Sequence, residues 1–265
     1  MLICPKCKKK LIRSESGWNC SAHHHYDEAS SGYVNLLLQN SAKAHGDNSE
    51  MILARRRFLA AGHYKPLLDK IIEVLKEESF STAVDCGCGE GYYTNALSKE
   101  FHKAQWLGLD LSKSAINLAS KTRSEVFYAI ASTAECPIQS ESADLVLNIF
   151  SPIFEKELSR IVSLTGRIIL VSPDEDHLLE MKEVLYPTVH LNPLPKFDFT
   201  KLCIEKTEHV SFIMKINTQE ALSDLLKMTP YAYHTPIEGI NRYNELSHIE
   251  VRASFRITIL RKNIL

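Results

Sequence analysis

Asp85-Cys86-Gly87-Cys88-Gly89-Glu90-Gly91-Tyr92-Tyr93-Thr94 decides how the rest of this sequence is read. It follows Thr82-Ala83-Val84-Asp85, an apolar run that reads as a buried strand, and leads into a helical pattern over 91–99. Glycines at such a turn permit positive φ and let a ligand approach the backbone. A dinucleotide fingerprint would read G-x-G-x-x-G, but its third glycine would fall on Tyr92. The spacing is instead acidic-x-G-x-G-x-G, and a second acid, Asp110, ends the next strand-like run, Gln105–Asp110. That combination suits S-adenosylmethionine (SAM) better than NAD. No pyrophosphate needs a cradle, and a carboxylate at the second strand's tip can accept hydrogen bonds from ribose hydroxyls.

Outward from this loop the pattern alternates. Leu67, Leu68, Ile71, Ile72 and Leu75 recur at helical spacing. Strands are predicted at 82–85, 105–110, 126–130, 143–149 and 166–171, with helices at 91–99, 112–123, 155–163 and 174–185. Two β-like runs, 205–215 and 249–260, flank a helix near 218–228 and suit an antiparallel closing pair. The expectation is an α/β fold with a mostly parallel seven-stranded sheet and helices on both faces. Ala131-Ser132, after the third strand, could meet an adenine edge. Asp144 opens the fourth strand, which runs into Asn148-Ile149-Phe150-Ser151-Pro152. A polar Asn148 and an aromatic Phe150 there suit a planar nitrogenous methyl acceptor. Cys86 and Cys88, alternating at a strand end, read as packing residues.

The N-terminus carries a different chemistry. Cys4 and Cys7 form a C-x-x-C knuckle, Cys20 follows, and His23, His24 and His25 lie three to five positions beyond it. Tetrahedral structural zinc is commonly held by two such pairs across a short hairpin. Leu11 to Trp18 reads as strand, turn, strand, with Gly17 for the turn and Trp18 as cover over the metal. Spacing alone leaves the choice among the three histidines open. Residues 28–50 read as a linker anchored by one strand or turn around Tyr33–Leu38. Helix 50–59 then carries Arg55, Arg56 and Arg57, either a solvated face or an RNA contact.

Composition sets outer bounds. The 265 residues are 45% hydrophobic and 24% charged with a net charge of −1, ordinary for a globular chain. No run approaches the roughly 18 apolar residues of a membrane helix, and no signal-peptide pattern opens the chain, so a cytoplasmic location is expected. Seven cysteines, an odd number, argue against a fully paired disulfide framework.

Taken together, these stretches resemble the bacterial ribosomal large-subunit RNA methyltransferase A family, class I SAM-dependent enzymes that methylate N1 of a guanine in 23S rRNA. The resemblance is carried by Cys4-x-x-Cys7…Cys20, Gly32–Leu37, Gly46–Met51, Ala54–Leu59, Ala61–Tyr64, Asp85–Thr94 and Met228–Tyr231, in order along nearly the whole chain. It implies a Cys3His zinc site of Cys4, Cys7, Cys20 and His24. It also implies SAM contacts from Tyr64, Tyr93, Thr94, Asp110 and His177, beside the loop residues Asp85, Gly87, Gly89 and Gly91. The implied organisation is a zinc-binding RNA-recognition module at 1–36, a linker and basic helix at 37–66, and the methyltransferase domain at 67–265. Lys6, Lys8, Lys9, Lys10 and Arg13 on the hairpin, with Arg55 to Arg57, would supply phosphate-binding charge.

The family modifies guanine 745 or 748 in the hairpin 35 region, as rRNA or in a pre-50S particle, and the overall pattern looks closer to the 745 branch. It also implies a possible homodimer. Asn148 stands where a basic residue can occur, and Phe150-Ser151-Pro152 replaces a Tyr-Ala-Pro form. Phe150, Tyr231 and Tyr233 are the candidate stacking surface for an unstacked base. Two other classes stay open: a zinc-containing RNA-binding assembly factor with an inactive methyltransferase fold, and a small-molecule SAM methyltransferase.

Overall fold

The computed structural model describes residues 1–38, 48–122, 124–195, 197 and 199–263. Residues 39–47 of the expected linker, with the Gly46-Asp47 start of one family-like stretch, lie outside the described residues.

A three-stranded antiparallel sheet comes first, of β1 (Leu11–Ser14), β2 (Gly17–Cys20) and β3 (His25–Tyr26). The large sheet then uses β4 (Tyr33–Asn35), β5 (Thr82–Cys86), β6 (Gln105–Asp110), β7 (Val126–Ile130), β8 (Ala143–Ile149), β9 (Val162–Pro173), β10 (Leu202–Ile216) and β11 (Ile249–Lys262). Its order is β10-β11-β9-β8-β5-β6-β7-β4. The pairs from β9 to β4 are parallel, and β11 runs antiparallel to both β9 and β10. This is the class I methyltransferase architecture, with one strand more than the seven expected. The addition is β4, which pairs with β7 from Tyr33↔Tyr128 to Asn35↔Ile130. The segment expected to close the zinc module at residue 36 is thus an edge strand of the large sheet.

Helices α1 (Ser49–Ala60), α2 (Lys65–Lys76) and α3 (Tyr92–Glu100) precede and follow β5. Asn48 caps α1 by accepting the Met51 amide. Further along come α4 (Lys113–Ala119), α5 (Glu155–Ile161), α6 (Leu179–Leu185) and α7 (Gln219–Lys227). Two short helices, α8 (Tyr231–His234) and α9 (Ile237–Asn244), follow α7. One face of the sheet buries Phe58, Leu67, Ile71, Leu97, Met181 and Leu225 against β11 and β8. On the other face Leu2, Cys4, Leu11 and Cys20 from the N-terminal sheet share a core with Val84, Leu109 and Ala129. The small sheet is therefore packed on the large one, fixed further by Ile3 N–H donating to Pro137 and the Leu2↔Ile138 bridge. Among the described residues no helix is long and apolar enough to cross a membrane.

β5 is the strand at which the sheet order reverses, with β6 on one side and β8 on the other. In open α/β sheets the ligand crevice lies at the carboxyl ends of the strands flanking that reversal.

Candidate active site and zinc site

At that place lies a cavity of about 1010 Å³. It is lined by the loop after β5, by Asp110 at the tip of β6, by Asn148 to Phe154 at and beyond the end of β8, and by Tyr64, His177 and Tyr231. The glycine loop takes its path for two separate reasons. Gly87 (φ +91°) lies so close to Ser151 that a Cβ would collide with that side chain. Gly89 (φ +56°) faces almost open space; among the described residues beyond its chain neighbours, Arg55 Nη1 comes nearest, at 3.9 Å from where a Cβ would sit. The first glycine serves the protein's own packing, and the second keeps the cavity wall bare backbone.

Among the described residues, three buried polar atoms on the cavity wall lack hydrogen-bond partners: Asp85 Oδ1, Glu90 Oε1 and Tyr93 Oη. Asp85 Oδ2 accepts from Thr94 Oγ1 at 2.6 Å, so its other oxygen is left for a ligand. Burial, with the charges of Asp110 and Glu90, pushes the Asp85 carboxyl up to about 7 against the opposing Thr94 hydrogen bond. Asp110 is anchored at both oxygens, by the Gly89 amide at 2.9 Å and the Ser112 amide at 2.8 Å. A carboxyl with a free oxygen suits an ammonium, and an anchored carboxylate at the strand tip suits vicinal hydroxyls. SAM offers both groups.

Part of the cavity lining is aromatic. Phe150 holds a left-handed backbone, φ +55°, right after β8, and its half-exposed ring faces Phe255 at 5.4 Å, Tyr93 at 6.4 Å and Tyr64 at 6.5 Å between centroids. Such strain in a non-glycine residue is costly and is concentrated at functional sites. Asn148 is buried and donates to Pro152 O at 3.1 Å, fixing the turn that presents Phe150. His177 is also buried, and burial pushes its imidazole down to about 4, so it is neutral. Its Nδ1 accepts the Ser254 amide, which leaves the proton on Nε2, 3.4 Å from Tyr64 Oη.

The zinc site is equally compact. The ligand atoms of Cys4, Cys7, Cys20 and His24 all lie within 4.8 Å of one another. His24 Nδ1 stands 3.4 Å from Cys4 Sγ and 3.5 Å from Cys20 Sγ, and Cys7 Sγ is 3.5 Å from Cys20 Sγ. Three thiols and one imidazole converging this way supply the four donors that a structural zinc ion would take, leaving no position open. The choice among the histidines has a physical reason. His23 is used in the knuckle turn, at φ +60° with its amide on Cys20 O. His25 points away, held by Asn19 and Asp27.

Several expected roles fall elsewhere. The Trp18 ring packs on Phe127 at 5.0 Å and on the core that includes Cys4 and Cys20, and its N–H donates to Glu28. Tyr26 takes a place beside the zinc ligands, its hydroxyl 3.1 Å from Cys4 Sγ. Arg57 is bound to Asp224 and Glu220, whereas Arg55 lines the cavity. Lys8 pairs with Glu135 and Arg13 with Glu28, while Lys9 and Lys10 are exposed. Tyr233 lies outside the cavity lining and accepts from Asn48 Nδ2, whereas Tyr231 does line it. Sequence reasoning missed Phe255, Glu90 and Asn192 as cavity residues. Only Glu90, inside the glycine loop, carried a local signal.

Comparison with known proteins matches residues 2–42 to a zinc ribbon described as "RlmA, N-terminal" and residues 83–185 to a "Methyltransferase domain". YxjB of Bacillus subtilis, named as a candidate 23S rRNA (guanine-N1)-methyltransferase, is 31% identical over 98% of this chain and 96% of its own. The chain belongs to the 23S rRNA (guanine-N1)-methyltransferase family. It is a SAM-dependent methyltransferase with a structural zinc ribbon. A second relative, the 23S rRNA (guanine(748)-N(1))-methyltransferase of Streptomyces fradiae, is 30% identical over 98% of this chain and 96% of its own. Among solved structures, the PH0226 protein of Pyrococcus horikoshii aligns over 77% of this chain and 91% of its own, at 16% identity and a TM-score of 0.49.

Proposed function

We propose that this protein methylates N1 of a guanine in the hairpin 35 region of 23S rRNA, in the cytoplasm, on rRNA or a pre-50S particle. The observation that carries the reading is one cavity with two kinds of lining: unsatisfied oxygens of Asp85 and Glu90 at the glycine loop, and the aromatic rings of Phe150 and Tyr231. The curated relatives named for guanine-N1 methylation of 23S rRNA support the same substrate. The residue pattern leans to nucleotide 745, and the Streptomyces fradiae relative is named for 748.

SAM supplies a methyl group already activated on a cationic sulfur, so the protein's part is alignment. Asp85, Gly87, Gly89, Gly91, Tyr93, Thr94 and Asp110 hold the cofactor end, with Tyr64 and His177 on its flank. Phe150 and Tyr231 stack the extruded base, and Asn148 sets the height of Phe150. Guanine N1 must lose its proton during transfer. Neutral His177 has its basic nitrogen engaged by the Ser254 amide and serves to orient Tyr64. Arg55, Arg56, Lys9 and Lys10 meet RNA phosphates. The zinc ribbon, residues 1–36, gives a rigid frame to its share of that surface.

The test is transfer to hairpin 35 transcripts in which guanine 745 or 748 is singly replaced by adenine. Transfer lost with one replacement and kept with the other supports the reading and names the nucleotide. Transfer indifferent to both overturns it.

A further inference from the structure

The loop between α6 and β10 carries a residue that the cofactor and zinc chemistry leave unexplained. Asn192 lines the cavity, and its amide uses both of its functions. Nδ2 donates to Asp174 O and to His177 O, each at 3.0 Å. Oδ1 accepts from Lys182 Nζ at 2.6 Å and from Tyr231 Oη at 3.5 Å. Its backbone N–H donates to Glu175 O. Lys182 is buried and bound also to His190 O, and its ammonium sits 5.9 Å above the Tyr231 ring.

Three separate segments meet at this one side chain: the turn after β9 that carries His177, helix α6 through Lys182, and α8 through Tyr231. No other residue type of this size both donates twice and accepts twice from one planar group. An aspartate would put a carboxylate against two carbonyl oxygens, and a leucine would leave Lys182 without its shortest partner. The arrangement has the form of a clamp, and what it clamps is Tyr231 on the aromatic part of the cavity lining.

We infer that Asn192, fixed by Lys182, is a positioning residue that sets Tyr231 against the acceptor base. The inference rests on the assignment of the aromatic wall to that base. Displacing a stacking ring by about 1 Å costs up to about a hundredfold in transfer, because alignment is the protein's main contribution.

The test is a double-mutant cycle of Asn192→Leu, Lys182→Met and their combination. Single-turnover methyl transfer to 23S rRNA is measured at saturating SAM, alongside RNA binding and hydrogen exchange over 188–195 and 230–234. Each single variant is expected to slow transfer by about ten- to a hundredfold, with RNA affinity changed by less than about threefold. The double variant should be no more than about twofold slower than the worse single one, because the two residues act as a unit. Full additivity, or wild-type transfer in Asn192→Leu, overturns the inference. If the wild-type protein transfers nothing to 23S rRNA, the proposed substrate fails separately. Exchange then decides: joint loss of protection in both segments of Asn192→Leu supports the clamp, and unchanged protection overturns it.

Discussion

Arg57 on α1 forms a two-pronged ion pair with Asp224 on α7, its Nε 2.9 Å from Oδ2 and its Nη2 on Oδ1. Asp224 is buried, with its side chain 3% exposed, while half of Arg57 faces solvent. The last arginine of an Arg-Arg-Arg run is thus part of the fold. It ties α1, whose Arg55 lines the cavity, to α7.

Removing Arg57 would leave a buried carboxylate without its cation. The half-exposed guanidinium puts the cost below that of a fully buried pair, at about 2 kcal/mol. Arg57→Ala should lower the denaturation midpoint accordingly. Arg56→Ala should shift stability by less than about 0.5 kcal/mol while weakening RNA binding and flattening its salt dependence. Chemical denaturation and filter binding at two salt concentrations separate the two outcomes.

Asp85 makes cofactor binding proton-linked. Its carboxyl stands at about 7 in the folded protein, above the ordinary value of about 3.9. Over the window between these values the folded state holds a proton that the unfolded state has lost. This group's contribution to stability therefore falls as pH rises through the window and is constant above it. A cationic ligand favours the ionised carboxyl, so SAM binding should release a proton. Its affinity should weaken by up to about tenfold per unit below pH about 7. Calorimetry in buffers of different ionisation heat reads the proton directly, and Asp85→Asn should remove it.

The zinc ribbon shares a core with the large sheet through Leu2, Cys4, Leu11 and Cys20. Cys20→Ser should lose the metal, lower thermal stability and abolish transfer to RNA. The cavity is built from other segments, so SAM affinity should stay within about threefold. Metal content by mass spectrometry and SAM calorimetry on the same preparation check both halves.

Phe150 is held at φ +55°. Phe150→Gly should relieve about 1 kcal/mol of backbone strain while removing the stacking ring. A variant at least as stable as Phe150→Ala, with transfer reduced in both and SAM binding kept, is the expected outcome.

Much of this architecture was legible in the chain. The runs at 105–110, 126–130 and 143–149 coincide with β6, β7 and β8, because buried parallel strands are predominantly apolar and end where the pattern breaks. The helix expected from 174 starts at Leu179, since Leu178 takes φ +56° and the preceding residues form the turn that carries His177. β4 was read only as an anchored stretch, because three residues cannot show a period. Helices α8 and α9 open at Pro230 and Pro236 and are too short for periodicity to reveal. The acids and glycines of the cofactor loop could be read locally. Phe255, Tyr26 and Asn192 could not, since each gains its role from a partner distant in the chain or from a contact that no spacing encodes.

The measurement that tests the central claim most directly is incubation with SAM carrying a labelled methyl group and 23S rRNA lacking its own modifications, followed by mass mapping of the digested RNA. The account predicts label on N1 of a single guanine in the hairpin 35 region. No label, from protein shown on the same day to bind both SAM and zinc, would contradict it.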